Sequence, residues 1–194
     1  MAHARHHDAS DDELVERARV GDRAAYGELV RRHQTTALRL AAGICGSTEE
    51  ARDIVQDGFV QGYRSLGQFR DDAPVRSWLL RVVANHAKNA VRTSSRRRQR
   101  EDRWAALDHG WAAGVLVGDP VGELALAADE TSGLLAALVL LPEHDREMLA
   151  CRYLADLSEV ETAVALGVPV GTVESRASRA LTRARAALGE AADG

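Results

Sequence analysis

Residues 101–133 set the first limit on how this chain folds. They hold seven acids and one base, with Gly110, Gly114, Gly118, Pro120 and Gly122 spread among them. A stretch so acidic and so rich in Gly reads as a flexible acidic linker, with one helical piece near Val121 to Ala128. The apolar residues on either side must then build cores of their own. Hydrophobic residues make up 45 % of the 194, but aromatics only 4 %, so those cores rest on Leu, Val and Ala. Ala, Leu and Arg dominate, Pro occurs four times, and no long run alternates β-branched residues. That composition favours helix over strand. The expected fold is all-α: two small helical domains joined by the linker. The expected boundaries are a disordered tail at 1–10, a first domain at 11–98, the linker at 99–131 and a second domain at 132–188.

Local signals divide the first domain into helices. From Ser10, the residues Leu14, Val15 and Ala18 form a short apolar face that ends near Gly21. Asp22 is placed to cap a second helix carrying Ala25, Tyr26, Leu29, Val30 and His33 at helical spacing, through about Cys45. Gly46-Ser47 breaks it. Ser47 and Glu50 make a capping-box pattern that opens a third helix through about Leu66. Ala51, Ile54, Val55, Phe59 and Gly62 can pack inward from it. Asp53, Gln56, Asp57, Val60 and Arg64 recur at the spacing of a second, shared face. Spacing alone is met equally well by an ordinary solvated face. A loop from Gln68 to Pro74 leads to a fourth helix, with Trp78, Leu79, Val82, Val83, His86, Ala87 and Ala90 on its apolar side.

Charge gives the fourth helix its meaning. Residues 76–100 hold seven Arg, the single Lys of the chain and no acid, although the net charge of the whole is −4. Fields act locally over a Debye length of about 8–10 Å, so such a block matters more than the sum. Arg81, Asn85, Lys88, Asn89 and Arg92 project off the apolar side. Arg and Lys take phosphates, and Asn can bond base edges. The block therefore points to nucleic acid; a solvated basic helix end is the other reading that charge alone allows.

The second domain starts near Ser132. Leu134, Leu135, Leu138, Val139 and Leu141 suit a buried helix, and Pro142 fits the first position of another, through about Leu154. Ser158 and Glu161 form a second capping-box pattern, opening a short helix that Gly167 is placed to end. A last helix, about Thr172 to Leu188, is basic and rich in Ser and Thr. Two helices joined by a tight Gly-containing turn describe a helix-turn-helix. Val160, Ala163, Val164, Leu166, Val168, Val173, Ala177 and Leu181 are its expected interior. Thr172, Ser175, Arg176, Ser178, Arg179 and Arg183 lie off that side.

Other chemistry finds little support. Cys45 and Cys151 sit in apolar helical surroundings and read as small buried hydrophobes; a redox pair would lack any CxxC spacing. His3, His6 and His7 read as part of a polar tail sooner than as a metal site. The chain has no phosphate-binding Gly loop, no nucleophile elbow and no metal-spaced His/Cys set, so no enzyme activity, metal or cofactor is expected. No apolar run reaches about 18 residues, and the start lacks a signal-peptide core, so no membrane insertion and a cytoplasmic location are expected.

Taken together, these segments resemble an extracytoplasmic-function (ECF) sigma factor of the sigma-70 family. EEARDIVQDGFVQGYRSLGQF looks like region two, with its D-x-x-Q-[DE]-x-F signature. RSWLLRVVANHAKNAVR is similar to its continuation, and LPEHDREMLACRYLADLSEVETAVALGVPVGTVESRASRALTRAR resembles region four, with its GTV-x-SR signature. The resemblance spans about residues 11–98 and 132–187 in the family's order. It implies that Asp53, Gln56, Asp57, Val60 and Arg64 dock on the β′ clamp helices of core RNA polymerase. It implies that Arg76, Trp78, Asn85, Lys88, Asn89 and Arg92 engage the minus-ten element of promoter DNA, with an unstacked base received by the loop around Phe69 to Ser77. Region four, through Thr172, Glu174, Ser175, Arg176, Ser178 and Arg179, would read the minus-thirty-five element and touch the β flap. The acidic linker would thread the polymerase channels, and an anti-sigma protein is a further implied partner. Four positions depart from the family pattern. Glu174 stands where a base is usual after GTV, Thr162 where Ile is usual, Ala177 where a larger aliphatic is usual, and Pro169 where a capping Ser is common. Lighter packing of region four and an unusual target preference are expected from them. The competing reading is a two-domain helix-turn-helix regulator that is not a polymerase subunit; it leaves the DIVQDGF face and the Trp-Leu helix without a role.

Overall fold

The computed structural model describes residues 9–70, 73–105, 135 and 138–192, with side chains described only up to residue 93 within 73–105 and up to residue 186 within 138–192. The His-containing tail, the greater part of the linker, and the side chains of Arg96, Arg97, Arg98 and Arg100 lie outside the described residues. The described residues are helical and include no strand.

Helices α1, α2, α3 and α6 each begin where a short polar side chain can take orphan amides. Helix α1 (Asp11–Arg19) opens on a reciprocal box: the Glu13 amide donates to Ser10 Oγ at 3.2 Å, and the Ser10 amide donates to Glu13 Oε2 at 2.8 Å. Asp22 caps α2 (Arg23–Cys45), accepting from the Ala24 and Ala25 amides at 3.0 and 3.1 Å. A hydrogen bond from Arg17, then these amides, hold its carboxyl below the usual aspartate value. Gly46 ends α2 at φ 78°, a left-handed position that costs glycine little. Ser47 then caps α3 (Thr48–Ser65), accepting from the Glu50 amide at 3.2 Å. A short 3-10 turn, Leu66–Gln68, leads toward α4 (Val75–Ala105). The second half comprises α5 (Glu143–Leu149), a π-helical continuation (Ala150–Leu154), α6 (Glu159–Leu166), a 3-10 turn (Val170–Thr172) and α7 (Val173–Ala192).

Leu14, Leu29, Leu40, Ile44, Leu79, Leu80 and Val83 are fully buried where α1 to α4 meet. The same apolar cluster continues without a break into Leu138, Cys151, Leu157 and Ala180 of the second half. A small satellite of Met148, Ala163, Val173 and Ala177 forms the interior of the helix-turn-helix. The two halves therefore pack against each other, with α6 along α4 and the π-helical turn along α2. Gly43 of α2 permits that approach: a Cβ there would stand 2.5 Å from Leu154 Cδ1 and 2.7 Å from Ala150 Cβ.

Two residues expected inside are outside. Val139 is 47 % exposed, because the chain leaves its helical stretch at Leu140 and turns Leu141 inward instead, the Leu141 amide donating to the Leu138 carbonyl at 3.1 Å. Val160 is 57 % exposed. The buried face of α6 is set by Thr162, Ala163 and Ala165, and at about 100° per residue Val160 falls opposite it. The departures noted in region four have physical counterparts. Thr162 is fully buried with its hydroxyl unpartnered, and Ala177 fills its place with a single methyl. The Pro169 carbonyl, in place of a side-chain cap, accepts from Thr172 Oγ1 at 2.8 Å.

Candidate docking and nucleic-acid interfaces

Helix α3 buries Ala51, Ile54, Val55 and Phe59 and turns Asp53, Gln56, Asp57, Val60 and Arg64 to solvent. These five do not share one surface; they form a ridge between two grooves. Gln56, Val60 and Arg64 wall an open groove of about 590 Å³ between α2 and α3, together with Tyr26, Val30, Val55 and Tyr63. Asp53 and Asp57 wall a second groove of about 530 Å³ on the α4 side, opposite His86 and Asn89. The first groove is apolar on its floor and is flanked by Arg23, Arg52 and Arg64. Its wall is rigid: the Tyr26 hydroxyl donates to the Phe59 carbonyl at 2.6 Å, and the Tyr26 and Tyr63 rings lie 5.0 Å apart. The contribution of α2 was not legible from the α3 pattern. Its one sequence signal is that Val60 and Tyr63, three apart, are large hydrophobics left over once the inward face is assigned.

Helix α4 buries Leu79, Leu80, Val83, Ala84 and Ala87. Asn85, Asn89 and Arg92 are exposed, and Trp78 is half-buried against Phe69, ring centroids 5.3 Å apart. The Arg19 guanidinium lies over Phe69, 5.6 Å from its centroid, and donates to the Phe69 carbonyl at 2.5 Å, fixing the entry to the loop before α4. Three of the expected DNA contacts already have acidic partners in the second half. Arg76 Nη1 donates to Glu161 Oε1 at 2.6 Å, Lys88 Nζ stands 3.1 Å from Glu147 Oε2, and Arg92 Nε donates to Glu143 Oε1 at 3.1 Å. Burial pushes the Glu147 carboxyl above the usual glutamate range, and Lys88 only partly offsets this. Burial also acts to raise Glu161, but hydrogen bonds from Ser158 and the nearby Arg76 outweigh it and hold that carboxyl low.

The helix-turn-helix is built from α6, its turn and α7. Ser158 and Glu161 complete their reciprocal box, with amide-to-side-chain distances of 3.2 and 2.9 Å. Gly167 ends α6 at φ 68°. Glu174, Ser175, Arg176, Ser178 and Arg179 are exposed on the first turns of α7, and Thr172 is half-buried just before it. Arg179 Nε donates to the Ser175 carbonyl at 3.0 Å, which lays its guanidinium along the helix surface. Arg183 reaches back to Asp145 of α5 and ties α7 to α5.

Burial raises the Cys45 thiol to about 11 and the Cys151 thiol to about 12, so neither supplies thiolate at neutral pH. Among the described residues no group of three or more His, Cys, Asp or Glu is placed to hold a metal, and no helix is long and apolar enough to cross a membrane.

Comparison with known proteins agrees with this architecture in both halves. Residues 29–97 match the family model for sigma-70 region 2, and residues 132–183 match that for sigma-70, region 4. The chain is 34 % identical over 172 residues to the RNA polymerase sigma-H factor of Pseudomonas aeruginosa, covering 88 % of this chain and 89 % of that one. It is 33 % identical over 183 residues to the ECF RNA polymerase sigma factor SigM of Mycobacterium tuberculosis, covering 94 % and 87 %. The fold is similar to that of CnrH in complex with the cytosolic domain of CnrY, with a TM-score of 0.66 at 25 % identity over 91 % of this chain and 96 % of that one. It is also similar to the sigma factor RpoE in complex with the anti-sigma factor NepR from Bartonella quintana, with a TM-score of 0.53 at 25 % identity over 79 % and 90 %. The chain belongs to the sigma-70 family, within its extracytoplasmic-function group.

Proposed function

We propose that this sigma factor binds core RNA polymerase through the α2–α3 groove and the α3 ridge, and directs it to promoters through α4 and α7. The observation that carries this reading is the pairing of an acid-free basic stretch of α4, residues 76–100, with an exposed helix-turn-helix, in the order region two then region four. The β′ clamp helices occupy the apolar groove, with Gln56, Val60 and Arg64 on its wall and Asp53 and Asp57 beside it. Asn85, Asn89 and Trp78 meet the minus-ten element, and Arg76, Lys88 and Arg92 meet its phosphates. Separating a base pair costs a few kcal/mol, which capture of the single strand on such a surface offsets. Catalysis belongs to the polymerase, and the protein works in the cytoplasm beside it. Structures of the related CnrH and RpoE contain CnrY and the anti-sigma factor NepR, which supports an anti-sigma protein as a further partner here.

Run-off transcription with core polymerase on a genomic library tests this function. Discrete start sites that depend on the added chain are expected. Sequence-specific DNA binding without any core binding would favour the helix-turn-helix regulator instead.

On α7, Arg179 is the proposed base reader and Arg176 the proposed phosphate contact. Arg179→Ala should cost about 1–3 kcal/mol and relax preference at one base position. Arg176→Ala should weaken all promoters alike and lower the salt slope by roughly one phosphate contact. Glu174→Arg should raise general affinity and blur discrimination, because an acid beside phosphates penalises wrong sites. Holoenzyme binding to promoter variants across a salt series checks all three. A uniform loss from Arg179→Ala with a changed base preference from Arg176→Ala would reverse the two roles.

A further inference from the structure

Helix α1 ends in a side chain that reaches the loop before α4. The half-buried Arg19 uses its guanidinium in three ways. Nη1 donates to Glu16 Oε1 at 2.6 Å, Nη2 donates to the Phe69 carbonyl at 2.5 Å, and the guanidinium carbon lies 5.6 Å from the Phe69 ring centroid. A planar fork can serve one carboxylate, one carbonyl and one ring face at once; an ammonium cannot. Phe69 follows the 3-10 turn Leu66–Gln68 and is where the chain becomes extended, at φ −63° and ψ 125°. Its ring is buried and lies 5.3 Å from that of Trp78, tilted by 46°. Arg19 therefore fixes both the backbone and the ring of Phe69, and Phe69 supports one side of Trp78.

The helix that carries Arg19 is itself pinned to α2. Asp11, at its start, accepts from Arg32 Nη1 at 2.8 Å and stands 2.7 Å from His33 Nε2. Near its end, Arg17 Nη2 donates at 2.7 Å to Asp22, the cap of α2. Leu14, Val15 and Ala18 are buried between these ties. A helix held at both ends is a fixed reference for the loop that it touches. The geometry points to Arg19 as a positioning residue for strand separation: from α1 it holds Phe69 and Trp78 in the arrangement that receives a base leaving the duplex. This rests on the reading of Trp78 and the loop before α4 as the place where a minus-ten base is captured. Stacking of the freed base offsets the cost of unpairing only if the stacking surface is in place when the base leaves. Ordering that surface during the step adds to the barrier. Arg19 acts through Phe69 and does not touch the strand.

Full-length Arg19→Lys and Arg19→Ala test this in the holoenzyme. The probe is a promoter fragment from the run-off selection, with a fluorescent base analogue in its minus-ten segment that brightens on unstacking. It is used as a duplex and with that segment premelted by mismatches. Both variants should open the duplex about tenfold more slowly, about 1.4 kcal/mol on the barrier. Both should bind the premelted fragment, and core polymerase, as the parent does. An equal loss on the premelted fragment or in core affinity would make Arg19 a merely structural residue and overturn the inference. If Arg19→Lys opens the duplex as the parent does while Arg19→Ala does not, Arg19 supplies only a positive charge, and the inference also fails. Trp78→Ala tests the underlying reading separately, and should lose both opening and affinity for the premelted fragment. If it keeps both, the capture reading falls and this inference with it. If Trp78→Ala is defective while both Arg19 variants match the parent, the inference alone falls.

Discussion

Val60→Asp should lower affinity for core RNA polymerase by about 2–4 kcal/mol, roughly 30- to 1000-fold, without unfolding the chain. Val60 is 44 % exposed on the wall of the α2–α3 groove, beside the exposed Tyr63 and above the buried Val55. A carboxylate there costs the free protein little, since water reaches it. In a docked complex it would lie on an apolar floor, desolvated and unpaired. Asp53→Arg/Asp57→Arg, on the other groove of the ridge, should act more weakly and mainly on association, with an effect that fades as salt rises. Core-binding titrations at two salt concentrations, with circular dichroism as the folding control, distinguish the two grooves. If Val60→Asp binds core as the parent does while the double reversal abolishes binding, the docking surface is the acidic groove and not the apolar one.

Leu80→Ala should destabilise the fold by about 2–5 kcal/mol, whereas Leu140→Ala should change it by less than about 0.5 kcal/mol. Leu80 is fully buried where α4 meets the rest of region two. Truncation there removes the transfer free energy of the side chain and leaves a cavity that packed helices cannot close. Leu140 is 69 % exposed at a turn and has no such cavity to leave. Urea unfolding midpoints measure both. Equal midpoints for the two variants would mean that Leu80 is not a core residue.

These two leucines mark where reading the chain alone gives out. Both sit in apolar, helix-forming stretches, WLL and LVLL. On α4, extrapolating the helical period placed Leu79 and Val83 inside but missed Leu80 and Ala84, because the helix is covered on more than one side. The period gives the direction of each side chain about its own axis; how wide an arc is buried depends on what packs against it. Val160 failed in the opposite way: it lies across the helix from the face that Thr162, Ala163 and Ala165 bury. The ridge on α3 was legible as a set of exposed residues, but its division into an apolar and an acidic groove was not, since Tyr26 and Val30 come from α2.

What the sequence by itself determined is local: the caps at Asp22, Ser47 and Ser158, the left-handed glycines at 46 and 167, the inward face of α3, the helix-turn-helix, and the family that these motifs compose. Each depends on residues a few positions apart, where hydrogen-bond partners and side-chain directions follow from helix geometry. What only the tertiary structure decided is the relation between the halves. Arg76 and Glu161 stand 85 residues apart in the chain, and Arg92 and Glu143 stand 51 apart. No periodicity links such pairs. In the sequence, the acids of 134–171 and the bases of 76–100 are two separate blocks of charge; Glu143, Glu147 and Glu161 become partners of Arg92, Lys88 and Arg76 because Gly43 lets the second half close on α2 and one continuous apolar cluster joins the halves. Coulomb attraction at contact distance depends on that approach, and the approach is a property of the packed chain.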